Sequence, residues 1–95
     1  MSEREATLQA LNELHEFPGE FMFKVIGENT PELIASVVQA AVTVLGPGTT
    51  PTVTTRESAH GRHQAITMMV RVPSAEGVLD VYAALKGLKG VKLLL

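Results

Sequence analysis

A two-layer α+β fold, with four antiparallel strands backed by two helices in the order βαββαβ, is the architecture this sequence predicts. Three observations carry that expectation. Glu20–Gly27 and His63–Val72 alternate residues facing two ways, at the period of a strand. Two further segments repeat apolar residues at helical spacing behind a capping hydroxyl, Thr30 in one case and Ser74 in the other. A hairpin between the middle strands then joins two βαβ halves, and right-handed crossovers place the strands in the order 4-1-3-2.

The elements follow in turn. Residues 1–16 carry Leu8, Leu11 and Leu14 on one helical stripe, with Glu3, Glu5, Glu13 and Glu16 mostly elsewhere. They form an N-terminal arm or short amphipathic helix, closed by Phe17-Pro18-Gly19 because proline cannot extend a helix. Residues 17–95 then make a single domain. In Glu20–Gly27, Phe21, Phe23 and Val25 alternate with Met22, Lys24 and Ile26. Thr30-Pro31-Glu32 starts a helix: a hydroxyl to accept a free N–H, a proline preorganised for the first turn, a carboxylate at the positive dipole end. Its apolar face runs from Leu33 to Leu45, and Gly46-Pro47-Gly48 stops it.

Thr50–Ser58 is rich in β-branched residues, and Ala59-His60-Gly61-Arg62 reads as a hairpin tip leading into His63–Val72. There Ile66, Met68, Val70 and Val72 share one face. The second helix has the stripe Val78, Val81, Tyr82 and Leu85, broken by Gly87 and Gly90, and Val91–Leu95 is the last strand.

Composition narrows the chemistry. Ninety-five residues suit one domain, and 45% apolar residues supply a core that is aliphatic, with three Phe, one Tyr and no Trp. The chain has no cysteine, which removes disulfides, thiolate nucleophiles and Cys-ligated metals together. Its acidic N-terminus is unlike a signal peptide, and no apolar run is long enough to span a bilayer, so a cytoplasmic protein is expected. A net charge of −2 argues against a phosphate-driven nucleic-acid binder.

Leu14-His15-Glu16-Phe17-Pro18, then Phe21-Met22-Phe23-Lys24-Val25-Ile26-Gly27, resembles the YbeD-like family of small bacterial proteins (DUF493, also UPF0250). Thr50-Pro51-Thr52-Val53, Ser58, Gly61 and Ile66-Thr67 match that family's second block, and His63 and Ala65 depart from its pattern. The resemblance implies a ferredoxin-like fold similar to ACT-type regulatory domains, which bind small metabolites. It implies no catalytic residues.

Four constellations remain. His60 and His63 flank the hairpin glycine with Glu57 nearby, and they read as solvated histidines; no metal site and no cofactor is expected. Gly27-Glu28-Asn29-Thr30 joins the first strand to the first helix, where free N–H groups could hold the carboxylate or phosphate of a small metabolite. An acylphosphatase-like enzyme would want an arginine in that loop, and Glu28 stands there instead. With no paired carboxylates and no Ser-His-Asp set, the chain reads as non-catalytic.

The fourth constellation is the open sheet face. Alternation sends Met22, Lys24, Ile26, Arg56, Thr67, Met69, Arg71, Lys92 and Leu94 away from the helices, with Val91 and Leu93 inward. That face is expected to be apolar in patches and basic in charge, without the aromatics that RNA binders stack on bases. The arm, acidic and leucine-striped, is expected either to fold over it or to stay disordered. The function expected is a regulatory or adaptor module that takes a small metabolite at Gly27–Thr30, or a protein partner on the open face, with RNA binding there as the lesser alternative. A weak homodimer through the last strand or the open face is expected as well.

Overall fold

The computed structural model describes residues 1–95. It places α1 (Glu3–Leu14), β1 (Gly19–Glu28), α2 (Pro31–Leu45), β2 (Thr52–Glu57), β3 (His63–Val72), α3 (Ala75–Lys86) and β4 (Val91–Leu94) in that order. From β1 onward this is βαββαβ. The sheet runs β2-β3-β1-β4, the expected 4-1-3-2 read from the other edge, and every pairing is antiparallel. The architecture is the ferredoxin-like sandwich.

The helices begin and end where their chemistry dictates. Thr30 Oγ1 accepts the Leu33 N–H at 3.2 Å, and Ser74 Oγ accepts the Gly77 N–H at 3.2 Å. Gly46 closes α2 at φ 106°, a conformation in which a side chain would be strained. The central strands pair over their full length, from Gly19 opposite Val72 to Glu28 opposite His63. Their inward residues Phe23, Val25, Ile66, Met68, Val70 and Val72 pack with Val37 and Ala41 of α2 and Val78, Val81 and Leu85 of α3. Each large aliphatic residue buried there contributes roughly 1.5–3 kcal/mol of transfer free energy. Tyr82 meets Phe23 edge-on, with ring centroids 5.0 Å apart.

Two placements differ from expectation. The first is the last strand. A β-bulge between Ile26 and Gly27 pairs Val91 with Gly27 but Leu93 with Ile26 and Leu94 with Val25, so Lys92 has no partner on β1. One extra residue reverses the phase. Leu94 therefore packs against the core beside Val91, while Leu93 stands on the open face, 50% exposed. Leu94 leaves the interaction face, and Leu93 replaces it.

The second is the arm. Residues 3–14 are a helix capped by Ser2, whose Oγ accepts the Glu5 N–H at 3.1 Å. The helix lies against α3 on the helical side of the sheet, with Leu11 touching the core and Leu14 78% exposed. It does not cover the open face. The aromatic end of the core decides this: His15 and Phe17 lie on Phe21, at ring separations of 4.9 and 6.5 Å. That apolar anchor outweighs the charge match with the opposite face, since exposed ion pairs contribute little.

Candidate functional site

The outward residues of β1, β2 and β3 stand in register as three rows. Met22 lies beside Met69 and Thr52; Lys24 beside Thr67 and Thr54; Ile26 beside Ala65 and Arg56, with Leu93 on its other side. None of these residues is buried, and Met22 is 56% exposed. The result is two apolar rows flanking a polar one, with Lys24 at the centre. All three helices lie on the other side. Lys92, taken up by the bulge, is exposed at the β4 edge rather than set in a row.

The charge of this face differs from expectation. Lys24, Arg56 and Arg71 lie on it, but the register also places Glu20 opposite Arg71 and Glu28 opposite His63. It is mixed at its ends and basic only through its middle. Glu20 is legible in the sequence, two residues before Met22 on the same phase. At the Glu20–Arg71 end, a cleft of about 490 Å3 opens between those two residues, Thr49, Thr50 and Pro18.

The Gly27–Thr30 loop is knitted into the fold. The Glu28 N–H donates to Gly90 O at 2.9 Å, the Asn29 N–H to Arg62 O at 3.2 Å, and the Thr30 N–H to Glu28 O at 2.9 Å. Asn29 Nδ2 donates to Gly61 O at 2.9 Å, tying the loop to the hairpin tip. Gln64, 3% exposed, donates from Nε2 to the carbonyls of Glu28 and Thr30 at 3.0 and 2.9 Å. Gln64 is the functional-looking residue that sequence reading passes over. Its signal is its parity: a polar residue on the inward phase of β3 must find buried partners.

The glycine at the head of the loop is there for packing. A Cβ on Gly27 would come within 2.5 Å of both the Gly90 carbonyl oxygen and Leu33 Cδ2. Few donors are left for an anion. Pro31 has no N–H, the Leu33 N–H is used by Thr30, and the adjoining cleft of about 360 Å3 has Glu28 and Glu32 on its rim with Lys89 opposite. The histidines are likewise scattered: His60 is exposed at the tip, His63 faces Glu28 across the strands, and His15 packs on Phe21. No group of three or more His, Asp or Glu could hold a metal ion. No helix is long and apolar enough to cross a membrane.

Tyr82 packs against the core beside Phe23. Burial raises its phenol above the ordinary value, and its hydroxyl donates to Leu95 O at 3.1 Å.

Fold and surface together define a small ferredoxin-like α+β domain with one uncovered sheet face. A family model described as "Protein of unknown function (DUF493)" matches residues 12–95, and the chain belongs to that family. It is similar to a UPF0250 protein of Shewanella piezotolerans, 39% identical over 84 residues that cover 88% of this chain and 93% of the relative. It is also similar to a UPF0250 protein of Paraburkholderia phytofirmans, 34% identical over 93% of this chain and the whole of the relative. The UPF0250 protein YbeD of Escherichia coli is 33% identical over 90% of this chain and 95% of its own length.

Proposed function

We propose that this chain is a non-catalytic adaptor module whose working surface is the open sheet face. The observation that supports it is the pair of apolar rows, Met22–Met69 and Ile26–Ala65–Leu93, left bare by every helix. Methionine is flexible and polarizable, which suits a surface that must fit a partner's shape. With Lys24 between the rows and Arg56 and Arg71 beyond, the matching partner is a protein surface that is apolar with acidic groups. Bases would have no aromatic to stack on there, so RNA is the weaker occupant.

The regulatory, ACT-like version, with a small metabolite at Gly27–Thr30, has less support. The loop's backbone donors already serve Gly90, Arg62 and Glu28, and two carboxylates face the adjoining cleft. Photocrosslinking decides between the two. A photoreactive residue at Met69 should trap a discrete protein from nuclease-treated lysate, and M22S/L93S should abolish the adduct without unfolding the chain. A metabolite that raises the melting temperature through Gly27–Thr30, with no adduct on the sheet, would reverse the order of the readings.

A further inference from the structure

The two edges of the sheet are protected to different degrees. β4 is four residues long, bulged, and carries Lys92 at the bulge, the devices that discourage a strand from pairing with a stranger. β2 carries none of them. It is regular over Thr52–Glu57, has no proline or lysine within it, and is exposed at every position but Val53, which is half-buried.

The hydrogen-bond parity of the sheet shows what β2 offers. The Leu95 N–H donates to Lys24 O at 2.9 Å, so the even residues of β1 address β4 and the odd ones address β3. Carried through the register, the odd residues of β3 address β2, and the even residues of β2 answer them. The Ser58 N–H to His63 O bond, 2.9 Å, has the same parity. Val53, Thr55 and Glu57 therefore aim their N–H and C=O groups outward. The helical layer does not overhang them: Thr55 lies on the helical side of the sheet and is still exposed.

From these features we infer that β2 is a self-pairing edge, occupied by β2 of a second copy of this chain in antiparallel register about a two-fold axis at Thr54. Antiparallel partners share a face, so the allowed registers are centred on a residue. Centred on Thr54, Val53 meets Thr55 of the second copy and Thr55 meets its Val53, each pair exchanging N–H···O bonds. Thr52 meets Arg56 of the second copy on the open face, and no like charges stand opposite. Centring on Thr55 would instead set half-buried Val53 against the Glu57 carboxylate. The two-fold axis stands perpendicular to the sheet, so all helices stay on one side and the two open faces become one surface. The contact is a single six-residue strand, which makes the dimer weak and places it in the small, transient class of interfaces.

The absence of native cysteine permits a direct test on the whole chain. Under mild oxidation T54C should form a symmetric disulfide, because residue 54 lies opposite itself at bridgeable distance. T52C should not, because its partner is residue 56. Light scattering of the unmodified protein at about 1 mM should show dimer. T55P removes an outward N–H that β3 does not use and should weaken the dimer about tenfold or more, with the amide spectrum of β1 and β3 unchanged. T54K, exposed and harmless to the monomer, should do the same through like-charge repulsion. A chain that stays monomeric at that concentration, T52C and T54C cross-linking equally, or T55P and T54K leaving the dimer intact would each overturn the inference. None of those results would touch the docking role of the open face, which each copy carries entire.

Discussion

The same two strands present two unlike surfaces. Toward the helices, β1 and β3 offer Phe23, Val25, Ile66 and Met68, each fully buried; on the other side, one residue along, stand Met22, Lys24, Thr67 and Met69, none of them buried. Strand alternation makes both faces, but only one is filled. On the filled face, fit to neighbouring side chains governs which residue can stand at a position. On the bare face nothing in the fold constrains side-chain size, and the apolar residues there add little to the monomer's stability. Stability and partner contact are separated by one step along the chain.

Substitutions on each side should divide accordingly. Ile66→Ala should cost the most, about 2–4 kcal/mol, through lost transfer energy and the cavity left behind. Urea denaturation measures it, and a loss below about half a kcal/mol would mean the inward face is not the core. Gln64→Leu should come next, at about 1–3 kcal/mol. It removes the side-chain donor from the Thr30 carbonyl and leaves Glu28 O only the Thr30 N–H, and amide exchange should rise first in Asn29–Leu33.

The two neighbouring leucines give the closest comparison. Leu94→Ser should cost roughly 1–2 kcal/mol because Leu94 packs on the core. Leu93→Ser should fall within about half a kcal/mol while still weakening partner binding. Equal losses at the two positions would refute the bulge. The smallest effect is alkaline. Burial raises the Tyr82 phenol in the folded state, so the contribution is fully present below the ordinary tyrosine value of about 10 and is lost as pH rises through the higher folded value. A melting series from pH 8 to 11.5, run against Tyr82→Phe, should show the excess alkaline loss only in the parent.

What could be read from the sequence, and what could not, follows the range of the forces involved. The Thr30 and Ser74 caps, the Gly46 stop and the alternation of β1 and β3 are local, and each stands where its own neighbours dictate. The phase of β4 is not local. Val91-Lys92-Leu93-Leu94-Leu95 is apolar on either phase, and only its pairing with Ile26 and Gly27 selects which leucine goes in. The position of α1 is likewise a competition between surfaces. Its leucines suit either side of the sheet, and the contacts of His15 and Phe17 with Phe21 settle it, contacts set by how the chain turns into β1 and not by helical spacing. At the candidate site, the rows of the open face were legible apart from the exchange of Leu94 for Leu93, and Glu20 follows from the same alternation. The consumption of the Gly27–Thr30 donors was not, because the Gly61, Arg62 and Gly90 carbonyls that accept from them arrive from more than thirty residues away.

That long-range clasp gives the hairpin tip a mechanical standing. Asn29 holds the Gly61 and Arg62 carbonyls, and Gln64, the second residue of β3, holds the two carbonyls that flank Asn29. The exposed tip and the first turn of α2 are therefore tied directly to each other. The tip and the start of α2 lie side by side at the same end of the neighbouring strands β3 and β1, so a load applied at His60 has a direct hydrogen-bonded route to Thr30.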